Sequence, residues 1–172
     1  MLEDLEGIVM ANENAELSHV DPEGRPRMVN VGEKPLTRRR AVAAGLVTMR
    51  PETLKLALGG GGPKGPVIDV ARLAGITAAK RTADLVPLCH PLPLDQVDVE
   101  IASAGENALE VRAVAEATWR TGVEMEAFTA VVAAAMTLID MLKAVDREMT
   151  ITDVRLLEKS GGRSQDWSRG DS

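Results

Sequence analysis

Asp140 and Lys143 stand three residues apart in the segment IDMLKAVD, a spacing that puts a carboxylate and an ammonium on one edge of a helix. Such a pair can exchange protons with a ligand, or it can be an ordinary intrahelical salt bridge. His90 and Cys89 sit in Leu85–Leu94, a stretch stiffened by Pro87, Pro91 and Pro93. Histidine has an ordinary pKa nearest neutrality and is the natural proton shuttle, although a lone histidine is often structural. Cys89 is a candidate thiol, but no neighbour in the sequence would lower its pKa, so a packing or backbone role is expected. Lys64 follows the glycine run Gly59–Gly62, which reads either as a flexible connection or as a loop delivering a cation to an anionic ligand. It fails the GxxxxGK[ST] pattern, because Gly65 and Pro66 follow the lysine. Glu124 and Glu126 open a long helix, where capping and the helix dipole already explain them. Arg39, Lys64, Arg72, Lys143, Lys159 and Arg163 are the cations to test against phosphate. One cysteine and two histidines are too few for a zinc centre, and none is expected.

These residues must be positioned by a small set of elements. A loose leader over 1–17 and a turn-rich approach through Pro22, Gly24 and Pro26 precede a strand over Arg38–Met49. Pro51 opens a short helix to Leu58, and a second helix spans Val67–Thr82 with small residues at helical spacing, including Gly75, that imply close packing. Alternating patterns over Val97–Ala102 and Leu109–Trp119, split by a turn at Gly105, predict a hairpin. A long helix over Val123–Val145, a strand over Thr150–Glu158 and a mobile Gly/Ser-rich tail over 159–172 complete the chain. The expectation is one catalytic domain over 18–158, of α+β class, with an antiparallel sheet carrying helices on one face.

At 100° per residue, Phe128, Val131, Val132, Ala135, Leu138, Ile139 and Leu142 share the face expected to meet the sheet. The opposite face carries Thr129, Ala130, Ala133, Thr137 and Asp140 rather than lysine and glutamate, so a second subunit is expected to cover it. Glu126 and Asp140 lie roughly in line but about 21 Å apart at 1.5 Å per residue. A compact ligand touching both would take them from different subunits.

The net charge of −6 and the 2% aromatic content argue against a nucleic-acid surface or a base-stacking platform. A single cysteine fits a reducing compartment. Without a signal-like start, and with an apolar run over Ala127–Leu142 too short to span a bilayer, a cytoplasmic chain with no membrane partner is expected.

Four blocks together, KRTADLVPLCHPLPL, TGVEMEA, IDMLKAVD and RLLEKSGGRS, resemble the cyclic pyranopterin monophosphate synthase family in order and spacing, from about Leu17 to Trp167. The resemblance implies a ferredoxin-like fold and a hexamer built as a trimer of dimers, with active sites at a dimer interface. It implies a lyase of molybdenum cofactor (molybdopterin) biosynthesis. The substrate would be 3′,8-cyclo-7,8-dihydroguanosine 5′-triphosphate, made by an upstream radical enzyme, and the products cyclic pyranopterin monophosphate and pyrophosphate. By this likeness Leu88, Cys89, His90, Met125 and Glu126 match substrate-binding positions. Asp140 matches the catalytic aspartate, and Lys64, His90, Glu124 and Lys143 match other functional polar positions. Arg39 and Lys159 join the substrate-binding candidates as cations. No cofactor is required, though Mg²⁺ could accompany the triphosphate. Asn30, Pro66, Ile139, Arg163 and Gln165 depart from the usual pattern. The rival readings are a non-catalytic nucleotide-binding oligomer of the same fold and a ring-opening cyclohydrolase, which would ordinarily carry more metal ligands.

Overall fold

The computed structural model describes residues 20–21, 23–162 and 165–170, so the 1–17 leader and Arg163 lie outside the described residues. The chain divides into a short unit, 1–30, and a main unit, 31–172. In the first, Val20 bridges Pro26, and Asp21 accepts the backbone N–H groups of Glu23 and Arg25.

The main unit runs β1 (Thr37–Thr48), α1 (Pro51–Leu58), α2 (Val67–Ala79), α3 (Thr82–Leu85), β2 (Gln96–Ser103), β3 (Ala108–Trp119), α4 (Glu124–Leu142), β4 (Thr150–Ser160) and β5 (Trp167–Ser168). The strands form one antiparallel sheet ordered β2-β3-β1-β4-β5. Without the terminal β5 this is the split β-α-β-β-α-β arrangement, a ferredoxin-like α+β fold. The helix expected over Val67–Thr82 breaks at Lys80–Arg81 into α2 and the one-turn α3, whose Thr82 hydroxyl donates to the Ala79 carbonyl at 2.9 Å. The last strand reaches Ser160, two residues beyond the expected end. Its Glu158 and Lys159 pair with β5, so part of the tail is extended structure.

Leu109, Val111, Ala113, Ala115 and Ala117 alternate on β3 and are buried, the period-2 signature of a half-buried strand. Beside them on β1 are Ala41, Ala43, Gly45 and Val47, small enough to admit α4. A Cβ on Gly45 would stand 3.0 Å from side-chain carbons of both Val131 and Val154.

On α4, Val131, Ala135, Leu138 and Leu142 are buried as expected, but Val132 is exposed and Ala130 is fully buried. The reason is α2. Its Gly75 comes so close to α4 that a Cβ there would lie 2.8 Å from the Ala130 carbonyl oxygen and 3.3 Å from Ala134 Cβ. One part of the face assigned to a second subunit is therefore covered by the chain's own helix, a contact that periodicity on α4 alone does not reveal. At 19 residues α4 meets the length and hydropathy for crossing a membrane, longer than the apolar run from Ala127 suggested. Its buried faces belong to the sheet and α2.

Candidate functional site: two charged clusters at the ends of one helix

The glycine-rich segment after α1 brings Lys64 back to the C-terminal end of α4. Lys64 Nζ lies 2.6 Å from Asp140 Oδ2, and Lys143 Nζ lies 2.8 Å from Asp140 Oδ1. The carboxylate is thus bracketed by two ammonium groups, one from its own helix and one 76 positions earlier in the chain. The hydrogen bond from Lys143, then that from Lys64, holds the Asp140 carboxyl down to about 2. The Asp140 side chain is 54% exposed within one chain, on the face of α4 expected to meet a second subunit. The two cations keep it ionised to lower pH than an isolated aspartate.

The other cluster lies at the N-terminal end of α4. No side chain caps this helix. Glu126 instead turns inward and is only 4% exposed. Burial, with a smaller push from the charge of Glu124, raises its carboxyl to about 7. A carboxyl at that value exists in both protonation forms near neutral pH, which suits an acid or base. Capping and the helix dipole, which sufficed to explain Glu126 from sequence, do not reveal this burial; its place at the third helical position beside apolar Ala127 is the available signal.

Cys89 belongs to the same neighbourhood. Burial raises its thiol pKa, and the charge of Glu126 raises it further, which favours the packing role over a nucleophilic one. Leu88 and His90 flank it, all three half-buried on the proline-rich loop, where the Cys89 N–H donates to the Val86 carbonyl at 3.0 Å. Met125 is exposed.

Glu124 faces Lys159 across 3.4 Å at the rim of a polar cavity of about 150 Å³. Arg39, Arg40, Gly161 and Gln165 line it as well. The Arg39 guanidinium donates to the carbonyls of Gly161 (3.2 Å) and Arg120 (3.5 Å), while its Nε is buried without a partner. Gly161, at φ 91°, makes this crossing possible, since a Cβ there would be 2.0 Å from the Arg38 carbonyl oxygen. Arg72 is committed elsewhere, to Asp69 and the Val99 carbonyl. Of the departures from the usual pattern, Pro66 forms the N-cap of α2, Ile139 packs against the core, and Gln165 lines the polar cavity.

The sequence candidates therefore fall into two groups. Lys64, Asp140 and Lys143 meet at one end of α4; Cys89, Glu124, Glu126, Arg39 and Lys159 gather around the other.

Residues 28–162 match the MoaC family. The chain belongs to that family. It is 58% identical over 158 residues to the cyclic pyranopterin monophosphate synthase of Thermomicrobium roseum, covering 91% of this chain and 95% of the relative. It is 55% identical to the protein of that name from Chloroflexus aggregans, covering 91% and 96%, and 56% identical to the one from Brucella ovis, covering 92% and 96%. The matched span of the MoaC family takes in both clusters and every element that carries them.

Proposed function

We propose that this chain converts 3′,8-cyclo-7,8-dihydroguanosine 5′-triphosphate to cyclic pyranopterin monophosphate with release of pyrophosphate, as a cytoplasmic lyase of molybdenum cofactor biosynthesis. The observation that carries the reading is the Lys64–Asp140–Lys143 cluster in a chain 53–58% identical to proteins named for that synthase. The reaction rearranges a ring system, which needs several proton transfers, and forms a cyclic phosphate while expelling pyrophosphate. Two ammonium groups held by one ionised carboxylate provide protons and offset charge on the leaving group. Glu126 and His90, at the other end of α4, serve as a second acid–base set. Arg39 and Lys159 provide cations beside them, with Leu88, Cys89 and Met125 shaping the contact surface.

The two clusters cannot meet one small ligand within a single chain, because 14 helical residues separate Glu126 from Asp140, about 21 Å. The site is therefore completed by a second copy, which brings its Glu126 end to the Asp140 end of the first, within a trimer of dimers. Val132 and Met136, exposed on α4 between the clusters, are the apolar surface such a copy would cover. Mg²⁺ would be held chiefly by the triphosphate of the substrate. Among the described residues no three His, Cys, Asp or Glu side chains gather to hold a metal. An upstream radical enzyme supplies the substrate.

The test is incubation of the purified protein with the cyclic dihydroguanosine triphosphate and measurement of pyrophosphate, beside an Asp140→Ala variant. Release by the unsubstituted chain and loss in the variant are expected. Tight nucleotide binding without pyrophosphate release would replace the lyase with a binding module.

A further inference from the structure

We propose that Asp146 is a positioning residue for this reaction: one buried carboxylate ties together the two segments that carry Lys64 and Lys143 to Asp140. The proposal rests on the synthase reading for its catalytic meaning and on hydrogen-bond geometry for its substance.

Asp146 is 1% exposed, in the turn that follows α4. Lys143 forms the C-cap of that helix, its N–H donating to the Ile139 carbonyl at 2.8 Å. The next turn closes on Leu142, whose carbonyl accepts from Val145 (2.8 Å) and Asp146 (3.1 Å). Asp146 Oδ1 accepts the Glu148 N–H at 3.1 Å, so the carboxylate fixes the exit of the very turn that holds Lys143.

Its other oxygen reaches a different part of the fold. Asp146 Oδ2 accepts the Arg50 N–H at 2.9 Å and the Thr53 hydroxyl at 3.0 Å. These are the N-cap and first-turn residues of α1, a helix with no side-chain cap of its own. Asp146 supplies the missing acceptor from 96 positions away. The Arg50 guanidinium approaches the same carboxylate at 3.5 Å and donates to the Val145 carbonyl. Directly after α1 comes the glycine-rich segment that ends in Lys64. Because glycine fixes little by itself, α1 is the last rigid reference before that lysine.

Both cations around Asp140 are thus referred to one anchor. A buried ionised carboxylate carries a large desolvation cost, and an apolar side chain would pack there more cheaply. That cost is offset by the four donors it orders.

The experiment uses the full chain in its oligomeric state. It compares Asp146→Ala and Asp146→Asn for thermal stability, for kcat and KM, and for the ¹³C shift of the Asp140 carboxyl at pH 4. In the unsubstituted chain Asp140 remains ionised at that pH. In Asp146→Ala both lysines lose their common reference, so Asp140 becomes partly protonated at pH 4. The expected kcat falls about tenfold or more, as misplacement near 1 Å can, with KM changed less than about twofold. Asp146→Asn keeps one acceptor, for Arg50 and Thr53, but turns its NH2 group toward the Glu148 N–H, so it restores both readouts only in part, to values between those of Asp146→Ala and the unsubstituted chain. A folded Asp146→Ala protein that only melts earlier, with kcat and the Asp140 signal unchanged, overturns the proposal. Should that variant fail to fold, Thr53→Val removes one of the α1 contacts alone. A weaker shift in the same direction supports the proposal and no shift overturns it. The Asp140 signal needs no substrate, so failure of the synthase reading would appear separately, as absence of pyrophosphate from the unsubstituted chain.

Discussion

Two carboxylates on one helix are driven to opposite ends of the carboxyl range by their surroundings. Asp140 is drawn down to about 2 by two lysines, whereas Glu126 is pushed up to about 7 by burial. The rise at Glu126 links to stability. Between its ordinary value of 4.5 and about 7, folded Glu126 holds a proton that the unfolded chain has released. Stability is therefore lost as pH rises through that window, by about 3 kcal/mol in all at about 1.36 kcal/mol for each pH step of one. Glu126→Gln removes the linkage. Its melting temperature should exceed that of the unsubstituted chain at pH 8 by several degrees and match it near pH 5. Calorimetry at the two pH values checks this; equal differences at both would mean Glu126 is ionised throughout. At Asp140, Lys143→Ala should raise the carboxyl pKa more than Lys64→Ala does, because the Lys143 hydrogen bond is the larger cause. Side-chain NMR titration of the two variants reads the order directly.

The elements were largely legible in the sequence, and the exceptions share a cause. Alternation on β2 and β3, the proline at the start of α1 and the turn at Gly105 are local signals, and each element appeared within a few residues of its expected bounds. The facing of α4 was misread at Val132 and Ala130 because it depends on α2, which periodicity along one helix does not see. Gly75 held the clue, as a small residue at helical spacing with no stated partner. It now yields a quantitative expectation. Gly75→Ala places a Cβ 2.8 Å from the Ala130 carbonyl oxygen, a backbone atom that cannot turn aside. Overpacking of this kind costs about 1–3 kcal/mol, outweighing the gain of up to about 1 kcal/mol from better helix propensity. Urea denaturation should therefore show a lower midpoint, not a higher one. Of the candidate site, the Asp140–Lys143 pair followed from spacing. The approach of Lys64 and the anchor at Asp146 did not, since both are long-range contacts made by loops.

For the whole molecule the decisive feature is the length of α4. A helix long enough to bury its faces against the sheet and α2 holds its two charged ends about 21 Å apart, too far for one compact ligand to reach both within a single chain. If each site joins the Asp140 end of one subunit to the Glu126 end of another, two defects on opposite ends behave differently from two on the same end. Asp140→Ala and Glu126→Ala chains should each be inactive alone. Unfolded together and refolded as mixed oligomers, half of the dimers contain one of each chain. In a two-fold pair of that kind one site carries both defects and the other carries neither. About a quarter of the sites are then intact, and pyrophosphate release should recover to about a quarter of the unsubstituted rate. Asp140→Ala mixed with Lys143→Ala should recover nothing, because both defects fall on the same contributing end. Activity absent from the first mixture, with mixed oligomers verified by mass, would rule out a site shared between the Asp140 end of one subunit and the Glu126 end of another. Recovery in the first and silence in the second is the pattern that a site shared between subunits requires.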